Sequence, residues 1–141
     1  MAINGYEFDR FLRYDEMVAW LNTIAKKYPN LVSVESYGKS HKGRELMLAT
    51  ITDTSTGAHN TKPAHWIDAN IHAVEVTGGV AALFIIQDLV EKFRDQDETV
   101  VEALRTRTFY IATSRRTSFE AWLLTDTSLI GSCDTTRWWR G

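Results

Sequence analysis

Two residues stand at a spacing that suits a metal ion, His72 and Glu75, in the segment Asn70-Ile71-His72-Ala73-Val74-Glu75-Val76-Thr77-Gly78. An imidazole and a carboxylate three positions apart, across a strand-to-helix turn, can face one cation. Zinc accepts both donor types, at about 2.0–2.2 Å. A catalytic zinc also needs a third protein donor and an open position for water. The other histidines are poor choices for that third donor, because His41, His59 and His65 all precede the motif. His41 and His59 fall in loop sequence. His65 lies seven residues before His72 on the same predicted strand, roughly 23 Å away at about 3.3 Å per residue. Cys133 is the single cysteine, which excludes an internal disulfide and a cysteine-based metal site. The His-x-x-Glu spacing alone is common by chance. Its plain structural reading is a capping or core histidine, followed by a carboxylate that the dipole of a starting helix favours.

The elements that must position this pair can be read from hydrophobic spacing. Tyr14, Met17, Val18, Leu21 and Ile24 recur at helical intervals, with Asp15 and Glu16 in the first turn and Lys26 and Lys27 in the last. Pro29 and Asn30 end that helix. Residues 31–37 alternate as a half-buried strand, residues 38–43 form a polar turn with two glycines, and Arg44 to Ile51 is the returning arm of a hairpin. A loop rich in Thr, Ser, Gly and Asn follows, from Asp53 to Lys62. After Pro63 comes an apolar run from Ala64 to Ile71, which predicts a buried central strand ending at His72. Val76 to Phe93 predicts a long, nearly all-round apolar helix packed on a sheet, and Val100 to Leu104 a shorter one. Thr106 to Ala112 predicts another buried strand. A strand, then helices, then a strand implies a right-handed parallel crossover. The fold class is therefore α/β, a mixed and partly parallel sheet with flanking helices, antiparallel at one edge and parallel in the middle. In such sheets ligands bind beyond the carboxyl ends of the strands, where His72 and Glu75 fall.

Composition narrows the classes. The chain has 141 residues, of which 44% are hydrophobic and 11% aromatic, enough for one core and unlike a disordered chain. A net charge of -2 gives no bulk attraction for nucleic acid or an anionic membrane. The longest apolar run, Val80 to Ile86, is too short to span a bilayer. No cationic and apolar leader opens the sequence. With the single cysteine, this sets the expectation of a cytoplasmic protein with no membrane or nucleic-acid partner.

The order of segments resembles the zinc carboxypeptidases of the carboxypeptidase A type. Tyr14-Asp15-Glu16 opens the first helix, and Tyr28-Pro29-Asn30-Leu31-Val32 follows it. Residues Gly38 to Leu46 are similar to that family's G-x-S-x-x-G-R-x-(I/L) hairpin turn. Trp66 to Thr77 is similar to its metal-binding strand end, and Leu104 to Ile111 to the strand after it. The resemblance implies that residues 1–141 are the N-terminal half of a carboxypeptidase catalytic domain, an incomplete hydrolase-like carboxypeptidase fold, with His72 and Glu75 as two zinc ligands. It further implies hydrolysis of a C-terminal peptide bond in a peptide or protein substrate. In that family zinc polarises the scissile carbonyl and lowers the pKa of bound water. A separate glutamate acts as general base, and arginines stabilise the oxyanion and grip the terminal carboxylate. Arg137-Trp138-Trp139-Arg140 is similar to the family's R-x-W-R segment, which makes Arg140 the candidate catalytic arginine.

The pattern also departs from the family. No residue corresponds to the second zinc-binding histidine, the general base, the carboxylate-binding arginine or the capping tyrosine. Thr113 to Phe119 replaces the family's Pro- and Gly-containing turn, the mark a short frame disruption would leave. Val74 stands where many members carry an arginine. The leading expectation is thus a truncated metallocarboxypeptidase, inactive alone and marginal in stability. The alternatives are an oligomer, joined through an exposed sheet edge, that completes the site, and a non-catalytic binding or interaction module derived from the same fold.

Overall fold

The first helix, α1, spans Tyr14–Lys27 and follows directly from its apolar stripe, since Met17, Trp20, Leu21 and Ile24 are all buried. Its start is closed by Glu16. The Glu16 carboxylate accepts the Arg13 N–H at 2.8 Å and a two-pronged contact from the Arg10 guanidinium at 3.0 and 3.1 Å. The acidic first turn and the basic last turn suit the helix dipole. The computed structural model describes residues 6–41, 43–71 and 76–113.

A hairpin comes next, β1 (Val32–Lys39) and β2 (Glu45–Ile51), paired antiparallel from Val32↔Ile51 to Lys39↔Glu45. Gly43, at φ 77°, makes the left-handed turn that a side chain resists. A bulge between Ser36 and Gly38 shifts the register by one residue, at Tyr37. Two short 3-10 turns, Thr54–Thr56 and His59–Thr61, lead to β3 (Ala64–Asp68). Then come α2 (Thr77–Arg94), α3 (Glu98–Thr106) and β4 (Thr108–Ala112). Asp97 caps α3, its Oδ1 accepting the Val100 N–H at 3.0 Å.

The four strands form one sheet in the order β1-β2-β4-β3. β4 pairs antiparallel with β2 and parallel with β3. The sheet is therefore mixed and the fold is α/β, as the sequence indicates. Two details differ. The parallel pair lies at one side of the described sheet, not in its middle. β3 pairs on one side only among the described residues, and Ala64, His65 and Trp66 are exposed. The apolar run after Pro63 reads as a doubly buried strand, yet within β3 only Ile67 packs against the core, while Trp66 is 53% exposed.

One core joins the helices to one face of the sheet. Leu21 and Ile24 of α1, Ile86 and Val90 of α2, Leu104 of α3, Ile51 of β2 and Ile111 of β4 are fully buried in it. The buried positions of α2 are Gly79, Ala82, Leu83, Ile86, Gln87 and Val90, a single stripe at helical spacing. The apolar character of α2 extends beyond this stripe, since Phe84 on the outer side is 54% exposed and meets Phe8 edge-on at 5.4 Å. The opposite face of the sheet carries a row of rings: Tyr37, Trp66 and Tyr110 at 6.2 Å intervals, with His59 Nδ1 2.8 Å from the Tyr110 hydroxyl.

The end of the sheet where β3 and β4 begin is tied by Lys62. Its ammonium donates to Asp53 O at 2.7 Å, Thr56 Oγ1 at 2.8 Å and Thr52 Oγ1 at 2.9 Å. The Thr52 hydroxyl lies 3.0 Å from Arg107 O and 3.2 Å from Leu104 O. Thr108 Oγ1 donates to His59 O at 2.8 Å. These bonds hold the loop after β2, the entry to β3 and the end of α3 as one block.

Candidate functional site

β3 and β4 run parallel, so their carboxyl ends emerge together, with Asp68 opposite Ala112. The Ala69 N–H still bonds to Ala112 O at 2.9 Å. One residue later the chain leaves the sheet. Asn70 takes φ 53°, a left-handed conformation that Asn tolerates better than any apolar residue. Ile71 is 49% exposed, and α2 starts at Thr77. The predicted ligands His72 and Glu75 fall between, in residues 72–75, which lie outside the described residues. Arg140 also lies outside them.

What the structure does describe is the frame on both sides of that turn. Asn70 is 6% exposed. Its Oδ1 accepts the Gly79 N–H at 2.8 Å, which joins the end of β3 to the first turn of α2. The packing there is close. A Cβ at Gly79 would stand 2.8 Å from Asn70 Nδ2, and one at Gly78 would stand 3.3 Å from both Asn70 N and Asn70 Oδ1. Two glycines in succession let the helix start against the Asn70 amide. On the outer side a concavity is lined by Asp68, Ala69, Asn70, Ile71, Thr77 and Gly78. A second, smaller cavity is lined by Leu12, Met17, Val76, Val80 and Leu83 together with Asn70 and Gly79.

Two of the remaining histidines are used elsewhere. His59 is bonded to Tyr110 on the ring-bearing face. His65 stacks on Phe109 at 5.2 Å, with the rings 23° apart. Neither joins a metal set, and no group of three or more His, Cys, Asp or Glu that could hold a metal occurs among the described residues. The Asn70–Gly79 clamp is not among the expectations drawn from the sequence. The available signal was an asparagine at the end of an apolar strand, followed by a Gly-Gly pair at a helix start.

Comparison with known proteins agrees with this architecture. A family model described as zinc carboxypeptidase matches residues 17–114. Zinc carboxypeptidase A 1 of Drosophila melanogaster is 30% identical over 113 residues, covering 78% of this chain and 25% of that protein. Carboxypeptidase B of Astacus astacus is 33% identical over 116 residues, covering 82% of this chain and 36% of that protein. The chain thus spans about a quarter to a little over a third of the length of these relatives. Among solved structures, carboxypeptidase A from Helicoverpa armigera superposes with a TM-score of 0.73 at 24% identity, over 87% of this chain and 29% of that one. Thrombin-activatable fibrinolysis inhibitor superposes with a TM-score of 0.75 at 19% identity, over 84% and 29%. At these identities the superpositions speak to the fold.

Proposed function

Because this chain belongs to the zinc carboxypeptidase family, we propose that it supplies the first part of a metallocarboxypeptidase active site, acting on the C-terminal peptide bond of a peptide or protein. The observation that carries this reading is the position of His72 and Glu75. Both fall inside the matched span, between the carboxyl end of a parallel strand and the start of α2.

The donors fit zinc in kind, an imidazole nitrogen and a carboxylate oxygen. They are two where a catalytic site takes three. His72 is the last histidine of the sequence, and the third donor that a catalytic site takes would come from outside the described residues. His72 and Glu75 would hold the metal. When bound, zinc would polarise a substrate carbonyl and make its water a better nucleophile. Arg140 would stabilise negative charge on the carbonyl oxygen. The general base likewise comes from outside the described residues. The 141 residues alone bind zinc weakly and do not hydrolyse peptides.

Zinc titration of the protein by calorimetry tests this reading, alongside His72→Ala and Glu75→Gln. Heat of binding that disappears in both variants supports it. Equal binding in all three proteins would sink it. Chelator-sensitive release of C-terminal amino acids by the isolated 141 residues would overturn the statement that they are inactive alone.

A further inference from the structure

We infer that the oxygens gathered around the Lys62 ammonium form a monovalent-cation site, of the kind that takes ammonium or potassium, and that Lys62 is the cation this chain keeps tethered in it. The inference is independent of the reading of His72 and Glu75 as zinc ligands. Four oxygens surround Lys62 Nζ: Asp53 O at 2.7 Å, Thr56 Oγ1 at 2.8 Å, Thr52 Oγ1 at 2.9 Å and Leu104 O at 3.4 Å. They come from the loop after β2 and from α3, so the site exists only once these segments have met. Thr52, Asp53 and Leu104 are buried, while Thr56 is exposed, which gives an ion a way in from solvent on the Thr56 side.

The hydroxyl protons decide which ligand fits. Each hydroxyl has a single proton to give. Thr52 has Arg107 O at 3.0 Å and Leu104 O at 3.2 Å to receive it, and Thr56 has Arg105 O at 2.8 Å and Asp53 O at 2.9 Å. With both protons given to carbonyls, lone pairs alone face Nζ. A water molecule there would satisfy two of these oxygens with its protons and turn its own lone pairs toward the others, whereas a cation is attracted to all of them. None of the four oxygens carries a formal charge. The Asp53 carboxylate is turned away to Ser55, at 2.6 and 3.0 Å, and to Arg105, at 3.7 Å. Neutral oxygens of this kind replace the hydration shell of a monovalent ion, while divalent ions are held by sets that include carboxylates. The three short distances suit an ion of ammonium size. Potassium is close to ammonium in size, and sodium is smaller.

The test is thermal unfolding of the unaltered protein, Lys62→Ala and Lys62→Met in the chlorides of ammonium, potassium, sodium and tetramethylammonium at one ionic strength. Lys62→Ala removes the tethered ammonium and opens the space its stem filled. Lys62→Met removes the charge and keeps most of the stem, so it leaves no room for an ion. The expected result is that Lys62→Ala melts about 2–4 °C higher in ammonium or potassium than in tetramethylammonium, with a smaller gain in sodium. The unaltered protein and Lys62→Met should show no such gain. Folding of Lys62→Ala only when ammonium or potassium is present would support the inference equally. A midpoint of Lys62→Ala that is the same in all four salts overturns it, as does an equal gain in all three proteins. If Lys62→Ala folds in none of the salts, a double-mutant cycle decides. Thr56→Val should lower the urea midpoint more in the unaltered background than in the Lys62→Met background, and additive losses overturn the inference.

Discussion

The Lys62 ammonium lies 2.7 Å from the carbonyl oxygen of Asp53, and this bond fastens the exit of β2 to the entry of β3. The same ammonium meets the hydroxyls of Thr52 and Thr56. Replacing Lys62 with Met would keep most of its stem and remove one donor from the Asp53 carbonyl, which keeps the Thr56 hydroxyl at 2.9 Å. Because the lysine is partly exposed, water can reach some of these groups. The expected loss is about 1 kcal/mol, read as a lower urea midpoint with an unchanged slope.

Asp53 gives a pH signature at the same place. Burial alone would raise its carboxyl pKa. The Ser55 hydroxyl at 2.6 Å and the Ser55 N–H at 3.0 Å, with the Arg105 and Lys62 charges, outweigh burial and hold it below the usual carboxylate range. A depressed folded value means that ionised Asp53 stabilises the fold above the unfolded value of about 3.9, and that this stability is lost as pH falls through the lower, folded value. Asp53→Asn should therefore lower stability at pH 7 by about 1–2 kcal/mol. The gap should shrink below about pH 4 and close at still lower pH. Thermal unfolding of both proteins from pH 7 to pH 2 checks this; a gap constant over that range would mean that the charge is irrelevant.

Helix propensity alone favours alanine over glycine by about 1 kcal/mol. At Gly79 the sign should reverse. A new Cβ would stand 2.8 Å from Asn70 Nδ2, and Asn70 cannot swing aside without breaking its bond to the Gly79 N–H. Gly79→Ala should destabilise by about 1–2 kcal/mol. Gly78→Ala, with contacts at 3.3 Å, should cost less. Equal thermal midpoints for the two variants would argue against a tight clamp.

The core and the outer surface of the helices should respond differently. Ile111 is fully buried between β4 and the helices, so Ile111→Ala should cost about 2–5 kcal/mol. Phe84, 54% exposed on α2, should tolerate Phe84→Ser with about 1 kcal/mol or less. Denaturant unfolding separates the two, and a larger loss at Phe84 would mean that the outer side of α2 is covered.

Trp66 sits on β3, a strand unpaired on one side among the described residues. Exposed apolar edges invite pairing with another chain. Trp66→Lys should reduce self-association in sedimentation velocity across a concentration series, while changing stability less than Ile111→Ala does. Identical sedimentation of both proteins would remove this edge as a route to oligomers.

Much of this was legible in the sequence because the helices and the hairpin are specified locally. The α1 stripe, its acidic start and its basic end are enough to define that element, although Trp20 joins the buried side and Val18 only half does. The hairpin follows from two glycines between alternating arms. The bulge at Tyr37 does not, since one extra residue leaves no mark in a period-two pattern. The α3 start lies two residues earlier than hydrophobic spacing indicates, because Asp97 caps it through a side-chain bond rather than an apolar contact. β3 misleads for a related reason. Trp66 and Ile67 are both apolar, and the sequence alone cannot tell a strand buried on both faces from an edge strand with an aromatic outer face. At the candidate site, His72 and Glu75 are visible from residue type and spacing. The Asn70 clamp is not, because it depends on a left-handed turn and on a helix nine positions away.

The strand order carries a consequence for the order of assembly. β4, the last strand among the described residues, lies between β2 and β3. A growing polypeptide can close the β1–β2 hairpin early, yet among the described residues β3 has no neighbour until residues 108–112 arrive and form its parallel ladder. Long-range closures of this kind come late, because the loop entropy is lost before the contacts are gained. The end of β3, where Asn70 meets the Gly79 N–H, is therefore among the last of the described segments to take shape during synthesis.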